Sequence, residues 1–260
     1  MKSPAPPVPT PGGTDPARHY FGYQPVGEAE KARLVHRHFS TIARRYDLTN
    51  TVLSLGLHHP WKRTAVRLLA LKPGERVIDV CGGTGDLALL AARAVGPAGR
   101  VVVYDINRDM LAAGRRKLTA ARGAAIDLVE GDAECIAAAS GAFDAAMVGF
   151  GIRNVTHMHR AFGEMHRVLR PGGRFLCLEF SQPVNPLFRS LYDWYSFSVM
   201  PAVGRVLARS PNGYRYLSES IRMFPTPDEL SAQLAAIGFR DIAYRRLSNG
   251  IAVIHTGRRP

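Results

Sequence analysis

Cysteine is scarce in this chain. Its three thiols, Cys81, Cys135 and Cys177, stand far apart with no C-x-x-C pair, which excludes a disulfide framework and a cysteine zinc site and fits a reducing cytosol. No apolar run approaches the ~18 residues of a membrane span, and the N-terminus lacks the apolar core of a signal peptide. A cytoplasmic chain, free or resting on a membrane surface, is expected. Lysine is rare too: 5 residues against 29 arginines, within 34 basic and 21 acidic residues and a formal net charge of +13. Such a surface holds nucleic acid or an anionic membrane face, but it also arises from genome base composition alone, so the charge selects no partner by itself.

Proline is concentrated at the start, with six of 18 in the first sixteen residues. The tail over 1–19, and MKSPAPPVPTPGGTDPA in particular, is expected to be disordered and to carry no chemistry. The chain's 260 residues, 46% of them hydrophobic, suffice for an α/β domain with an added lobe. Over 28–71, Leu34, Phe39, Ile42, Tyr46, Trp61, Val66 and Leu69 are spaced for buried helix faces, which predicts an N-terminal helical lobe for the substrate. From 72 to 260 the texture changes. Short apolar runs (RVIDV, RVVVYDI, IDLVEG, FDAAMVGF, RFLCLEF) alternate with helical stretches near 87–95, 110–118 and 158–169, the pattern of a doubly wound parallel sheet. An insertion over 181–224, rich in aromatic residues, is long enough to be a lid. A last helix opens at Thr226-Pro227-Asp228 and stops at Gly238, and two β-rich runs then flank Ser248-Asn249-Gly250, a hairpin signal. The expected fold is α/β: a Rossmann-like, doubly wound, seven-stranded sheet closed by a C-terminal antiparallel hairpin. Class I methyltransferases have this arrangement.

The chemical centre is RVIDVCGGTGDLALLAA. Gly82, Gly83 and Gly85 fall where a strand turns into a helix, where a left-handed backbone and close approach of a ligand call for glycine. Taken alone, Gly83-Thr84-Gly85-Asp86-Leu87-Ala88 also satisfies a loose dinucleotide pattern. Asp86 weighs against that, because a carboxylate at this helix N-terminus repels a pyrophosphate. S-adenosylmethionine has no phosphate, and its sulfonium and amino groups are cationic. The plain alternative for Asp86 is a first-turn carboxylate favoured by the helix dipole. Asp105 closes VVVYDI twenty residues after Gly85 and is placed to accept both hydroxyls of an adenosine ribose; an Asx turn with Asn107 is the alternative. Asp132 and Ala133, in EGDAE after the third strand, would then flank the adenine.

YDLTNTVLSLGLHHPWK, DVCGGTGD, GDAE, GFGIRNVT, LEFSQP and YRYLSESIRMFP resemble the UbiE/MenG family, the C-methyltransferases of ubiquinone and menaquinone biosynthesis, from about Phe39 to the C-terminus. GFGIRN and YRYLSESI are hallmarks of that family rather than of methyltransferases at large. The resemblance implies S-adenosylmethionine as donor, with Thr84, Asp105, Asp132 and Ala133 among its contacts, and a polyprenyl quinol as acceptor. The chain departs from the family pattern at Gly149, where a Ser is usual, so a side-chain contact to the cofactor is lost or passes to backbone. It also carries Thr49 and Thr51 where Met and Asp are usual, and CIAAASG where a polar, Pro-containing run is usual.

Methylating a ring carbon of a hydroquinone needs an electron-rich ring, which ionising a phenolic hydroxyl provides. With a pKa near ~10 the ionised fraction at pH 7 is about one part in a thousand, a penalty of roughly 4 kcal/mol, and a neighbouring cation lowers such a pKa by ~1–3 units. Arg153, beyond the fourth strand, is expected to be that cation, Asn154 a partner for the second oxygen, and His58 or a water the proton acceptor. His36-x-His38 and His157-x-His159 are spaced to point apart on a helix, with no acidic partner completing a metal set, so no metal is expected. Tyr192, Trp194, Tyr195 and Phe197 either pack or form an apolar channel for an isoprenoid tail. Two other readings stay open. One is methylation of another small molecule or of nucleic acid, although GFGIRN stands where an Asp/Asn-Pro-Pro-aromatic run would serve base methylation; no nucleic-acid partner is expected. The other is a non-catalytic cofactor-binding subunit. Peripheral contact with an anionic membrane and a homodimer are also left open.

Overall fold

The computed structural model describes residues 19–121, 123–199 and 211–260. The expected disorder over 1–18 and part of the 181–224 insertion lie outside them. His19, assigned to the tail, instead opens a small antiparallel hairpin of β1 (His19–Phe21) and β2 (Gln24–Val26), turning on Gly22 at φ 61°. Helices α1 (Glu28–Ile42), α2 (Tyr46–Leu53) and α3 (His58–Leu69) follow.

The sheet is then laid down by β3 (Arg76–Val80), α4 (Asp86–Val95), β4 (Arg100–Asp105), α5 (Arg108–Thr119), β5 (Ala125–Glu130), β6 (Phe143–Gly149), α6 (Met158–Val168) and β7 (Leu169–Phe180). After them come α7 (Pro186–Trp194), α8 (Pro211–Met223), α9 (Pro227–Ile237), β8 (Arg240–Leu247) and β9 (Ala252–Arg258). The strand order is β5-β4-β3-β6-β7-β9-β8, parallel throughout except for β9, which runs antiparallel to both β7 and β8. This is the doubly wound, seven-stranded fold expected from the sequence.

Alternate residues of each strand serve opposite faces. Val77, Val101, Val103 and Met147 pack with α3, α4 and α5, whereas Ile78, Val80, Val148 and Phe175 pack with α6 and α9. Because both faces are covered, the strands read as unbroken apolar runs. Fully buried Phe162 and Phe175 contribute roughly 2–3 kcal/mol each. A capping box between Thr226 and Glu229 starts α9, and Gly238, at φ 118°, ends it. The Arg170–Gly173 segment forms a bulge inside β7: Leu169 pairs with Phe143 and Arg174 with Ala145, and Gly172 at φ 74° absorbs the excess.

Strand order reverses between β3 and β6, so a crevice opens at their carboxyl ends. The residues just beyond them, Cys81 and Phe150, both hold positive φ (52° and 59°) without being glycine, the kind of strain that gathers at functional sites.

Candidate active site

A hollow of about 1150 Å³ occupies this crevice. Gly82, Gly83, Thr84, Asp86, Asp105, Asp132, Ala133, Gly149 and Asn154 all border it, and Ala32, Val35 and Phe39 of α1 face it. Gly85, at φ 80°, lies behind them as the N-cap of α4, its N–H closing the loop onto Gly82 O at 2.8 Å. A Cβ on Gly82 would stand 2.9 Å from Asp79 O and 2.8 Å from Val103 Cγ1, so only glycine fits there. Asp105 accepts the N–H of Gly83 and that of Asn107, both at 2.8 Å. The Asx turn and the link to the glycine loop therefore coexist. Burial raises the Asp105 carboxyl, and the two backbone bonds pull it back.

Asp79 was not singled out in the sequence, although an acid inside the apolar run RVIDV is a signal. Its Oδ2 accepts Ala88 N–H at 3.1 Å, while Oδ1 is buried and has no partner among the described residues. Burial pushes its pKa up to about 8.

Asp86 differs from its expected role. Its Oδ2 accepts from Lys62 Nζ at 2.7 Å and its Oδ1 from Lys117 Nζ at 2.6 Å, so both oxygens are engaged by lysines. Lys117 also reaches Asp47 Oδ2 at 2.6 Å, and Asp47 Oδ1 accepts the Thr84 hydroxyl at 2.6 Å. Burial would raise the Asp86 carboxyl, but Lys62 and Lys117 outweigh it and hold it well below the usual carboxylate range. Two cations and two carboxylates thus tie α2, α3 and α5 to the glycine loop. Asp47 was missed. Nothing local to it marks the role, because its partners Thr84 and Lys117 stand 37 and 70 positions away.

A second hollow of about 1570 Å³ lies alongside, lined by apolar and aromatic side chains, and shares Phe39, Tyr46, Lys62 and Phe150 with the first. Arg153 borders it. Its Nη1 donates to Glu179 Oε1 and Oε2 (3.1 and 2.9 Å) and to Phe150 O (2.6 Å), and its guanidinium lies 5.4 Å from the Phe180 ring centroid. The expected lone cation is therefore half of a buried pair. Asn154 borders the first hollow rather than the second; its Oδ1 accepts the Tyr216 hydroxyl at 2.8 Å and its Nδ2 donates to Gly151 O at 3.1 Å. Tyr216, whose pKa burial pushes up to about 12, lines the second hollow in its place.

His58 does line the second hollow, with Nε2 3.0 Å from Thr51 Oγ1. Burial and, next, Lys62 push its pKa down to about 4, a poor match for taking a proton from a phenol near ~10. Tyr192, Trp194 and Tyr195 also line this hollow, and the Tyr195 hydroxyl donates to Leu53 O at 2.9 Å. The Phe197 side chain lies outside the described residues. His36 faces the first hollow and His38 the second, so the i, i+2 pair diverges as its spacing predicts. His157 has acidic neighbours after all, Glu134 and Glu28, which stand far from it in sequence.

The chain matches the ubiE/COQ5 methyltransferase family over residues 26–259. It is 46% identical over 248 residues to the ubiquinone/menaquinone biosynthesis C-methyltransferases UbiE of Pseudomonas entomophila and Pseudomonas putida, covering 95% of this chain and 96% of each relative. The Stutzerimonas stutzeri UbiE is 44% identical over the same length. Among solved structures, a SAM-dependent methyltransferase of Thermotoga maritima superposes with a TM-score of 0.59 at 18% identity, over 87% of this chain and all of that one. Haemonchus contortus phosphoethanolamine N-methyltransferase 2, in complex with S-adenosyl-L-methionine, gives 0.58 at 14% identity, over 76% of this chain and 52% of that one. Fold, glycine loop and sequence agree: the chain belongs to the ubiE/COQ5 methyltransferase family.

Proposed function

We propose that this chain methylates a ring carbon of a polyprenyl quinol with S-adenosylmethionine, in keeping with relatives named ubiquinone/menaquinone biosynthesis C-methyltransferases. The observation that carries this reading is the pair of hollows, one bordered by carboxylates and one apolar and aromatic, meeting at Phe39, Tyr46, Lys62 and Phe150. The first fits the donor. The unpartnered Oδ1 of Asp79 suits an ammonium group, whose positive charge would draw the otherwise protonated carboxyl to its ionised form, and Asp105 keeps acceptor capacity for ribose hydroxyls. Asp132 and Ala133 border the adenine in this reading. The cations near the α4 N-terminus, Lys62 and Lys117, are engaged by Asp86 and Asp47, which disfavours a dinucleotide pyrophosphate. When bound, S-adenosylmethionine supplies an electrophilic methyl group.

In the acceptor hollow, the Arg153–Glu179 pair presents a fixed dipole rather than a full charge, so it stabilises a phenolate less than a lone arginine would. With His58 held so acidic, the phenolic proton passes to water. The apolar lining favours a hydrophobic acceptor over nucleic acid.

An isoprenoid tail confines the acceptor to a bilayer. Nine of the eleven exposed large hydrophobic residues described lie within 48–57 and 184–194, and Leu55, Leu191 and Trp194 also border the acceptor hollow. This supports peripheral docking through that rim. Among the described residues no helix is long and apolar enough to cross a membrane. Transfer of labelled methyl from S-adenosylmethionine to a demethylated polyprenyl quinol tests the reading.

A further inference from the structure

His19, Glu28 and His157 each offer a donor atom within 4.8 Å of the others. Separate parts of the chain bring them together. The hairpin register pairs His19 with Val26, two residues before Glu28 opens α1, and His157 precedes α6 with its ring edge-on to His19 at 5.1 Å. A fourth donor is already held against His157: Glu134 Oε1 accepts its backbone N–H at 2.8 Å, and Oε2 lies 2.7 Å from Nδ1. Glu28 Oε1 lies 3.8 Å from the same nitrogen.

We propose that His19, Glu28, Glu134 and His157 form a transition-metal site that clamps the N-terminal hairpin and α1 to the loops behind the donor hollow. Two imidazole nitrogens with two carboxylate oxygens suit Zn²⁺ and its neighbours rather than Mg²⁺ or Ca²⁺. Donor atoms around tetrahedral zinc lie about 3.4 Å apart, so the spread among His19, Glu28 and His157 closes by side-chain movement of about an ångström, with Glu134 brought in through its contact with His157. Glu28, with a side chain 62% exposed, has that freedom. The charge is favourable as well. Lys31, whose Nζ donates to Val155 O at 3.1 Å, offsets one of the two carboxylates and leaves one net negative charge at the site.

Binding replaces the contact between His157 Nδ1 and Glu134 Oε2. The consequence is a joined roof and wall, because Ala32, Val35 and His36 of α1 face the donor hollow and Glu134, Val155 and Thr156 border it. The inference does not depend on the reaction proposed above.

The test is calorimetric titration of untagged, chelator-stripped protein with zinc chloride at pH 7.5. One Zn²⁺ per chain is expected, with Mg²⁺ failing to compete. His19→Ala and Glu28→Gln each weaken binding by roughly tenfold or more, while His159→Ala, at an exposed position two residues from His157, leaves it unchanged. Metal-free melting curves verify that the variants fold. No Zn²⁺ binding by the wild type, or binding that survives both His19→Ala and Glu28→Gln, overturns the site.

Discussion

Arg153 Nη1 lies 2.9 Å from Glu179 Oε2, and the two side chains are 7% and 3% exposed. Removing the arginine withdraws a cation from the acceptor hollow and also strands a carboxylate in the interior, which costs about 3–5 kcal/mol. Arg153→Met is therefore expected to lose that much stability in urea unfolding, and Arg153→Met with Glu179→Gln to regain most of it. In the double variant, turnover should fall roughly ten- to a hundredfold at pH 7 and recover in part at pH 9.5, where hydroxide ionises the quinol. An equal deficit at both pH values would remove the electrostatic role and leave Arg153 a structural residue.

Asp79 gives stability a pH dependence of known sign. Its folded pKa of about 8 stands above the unfolded value of 3.8, so the folded state binds more protons between them. Stability then falls as pH rises from about 4 to 8 and levels off above. Asp79→Asn keeps an acceptor for the Ala88 N–H and removes the titration. The variant should melt like the wild type near pH 4 and at a higher temperature at pH 9; matching melting curves at pH 9 would contradict the burial of a protonated Asp79.

Much of the fold was legible because local signals agreed with it. The apolar runs, the Asn249-Gly250 turn and the stop at Gly238 each reflect a backbone requirement that one or two residues express. The β1–β2 hairpin was not legible, since two three-residue strands leave no periodicity to read. The site was legible only in part. Asp105 and the glycines declare themselves by spacing, whereas Asp47 meets Lys117 across 70 positions, and Asp86 read alone shows only its helix end. His58 is likewise disarmed chiefly by tertiary burial, which its own sequence neighbourhood does not show, although Lys62, four residues on along the same helix, could have been read as a neighbour.

Gly149 is explained by Leu87. A Cβ at 149 would stand 2.5 Å from Leu87 Cδ1, and Leu87 is buried. Gly149→Ser should cost about 1–3 kcal/mol through overpacking, and the same change should cost less when made in a Leu87→Ala background. Unchanged thermal stability of Gly149→Ser would show that Leu87 moves aside freely.

Docking through the apolar rim is checked by co-sedimentation with lipid vesicles. Leu187 and Leu191 are 84% and 59% exposed, and changing both to Asp should weaken binding to neutral and anionic vesicles alike. Salt should weaken only the anionic case, because exposed charge contacts are screened beyond ~8–10 Å near physiological ionic strength. Vesicle binding that ignores the double change would exclude this rim as the contact.

Methyl transfer is the most direct measurement of the central claim. Purified protein, isotopically labelled S-adenosylmethionine and a demethylated polyprenyl quinol in vesicles should yield quinone labelled on a ring carbon. Asp105→Ala should weaken donor binding by about a hundredfold, the loss of ~2–3 kcal/mol expected for a buried carboxylate on two hydroxyls. Labelled quinone whose formation depends on Asp105 is the predicted result. Tight S-adenosylmethionine binding with no label reaching either a naphthoquinol or a benzoquinol would contradict the account and leave a cofactor-binding protein without this reaction.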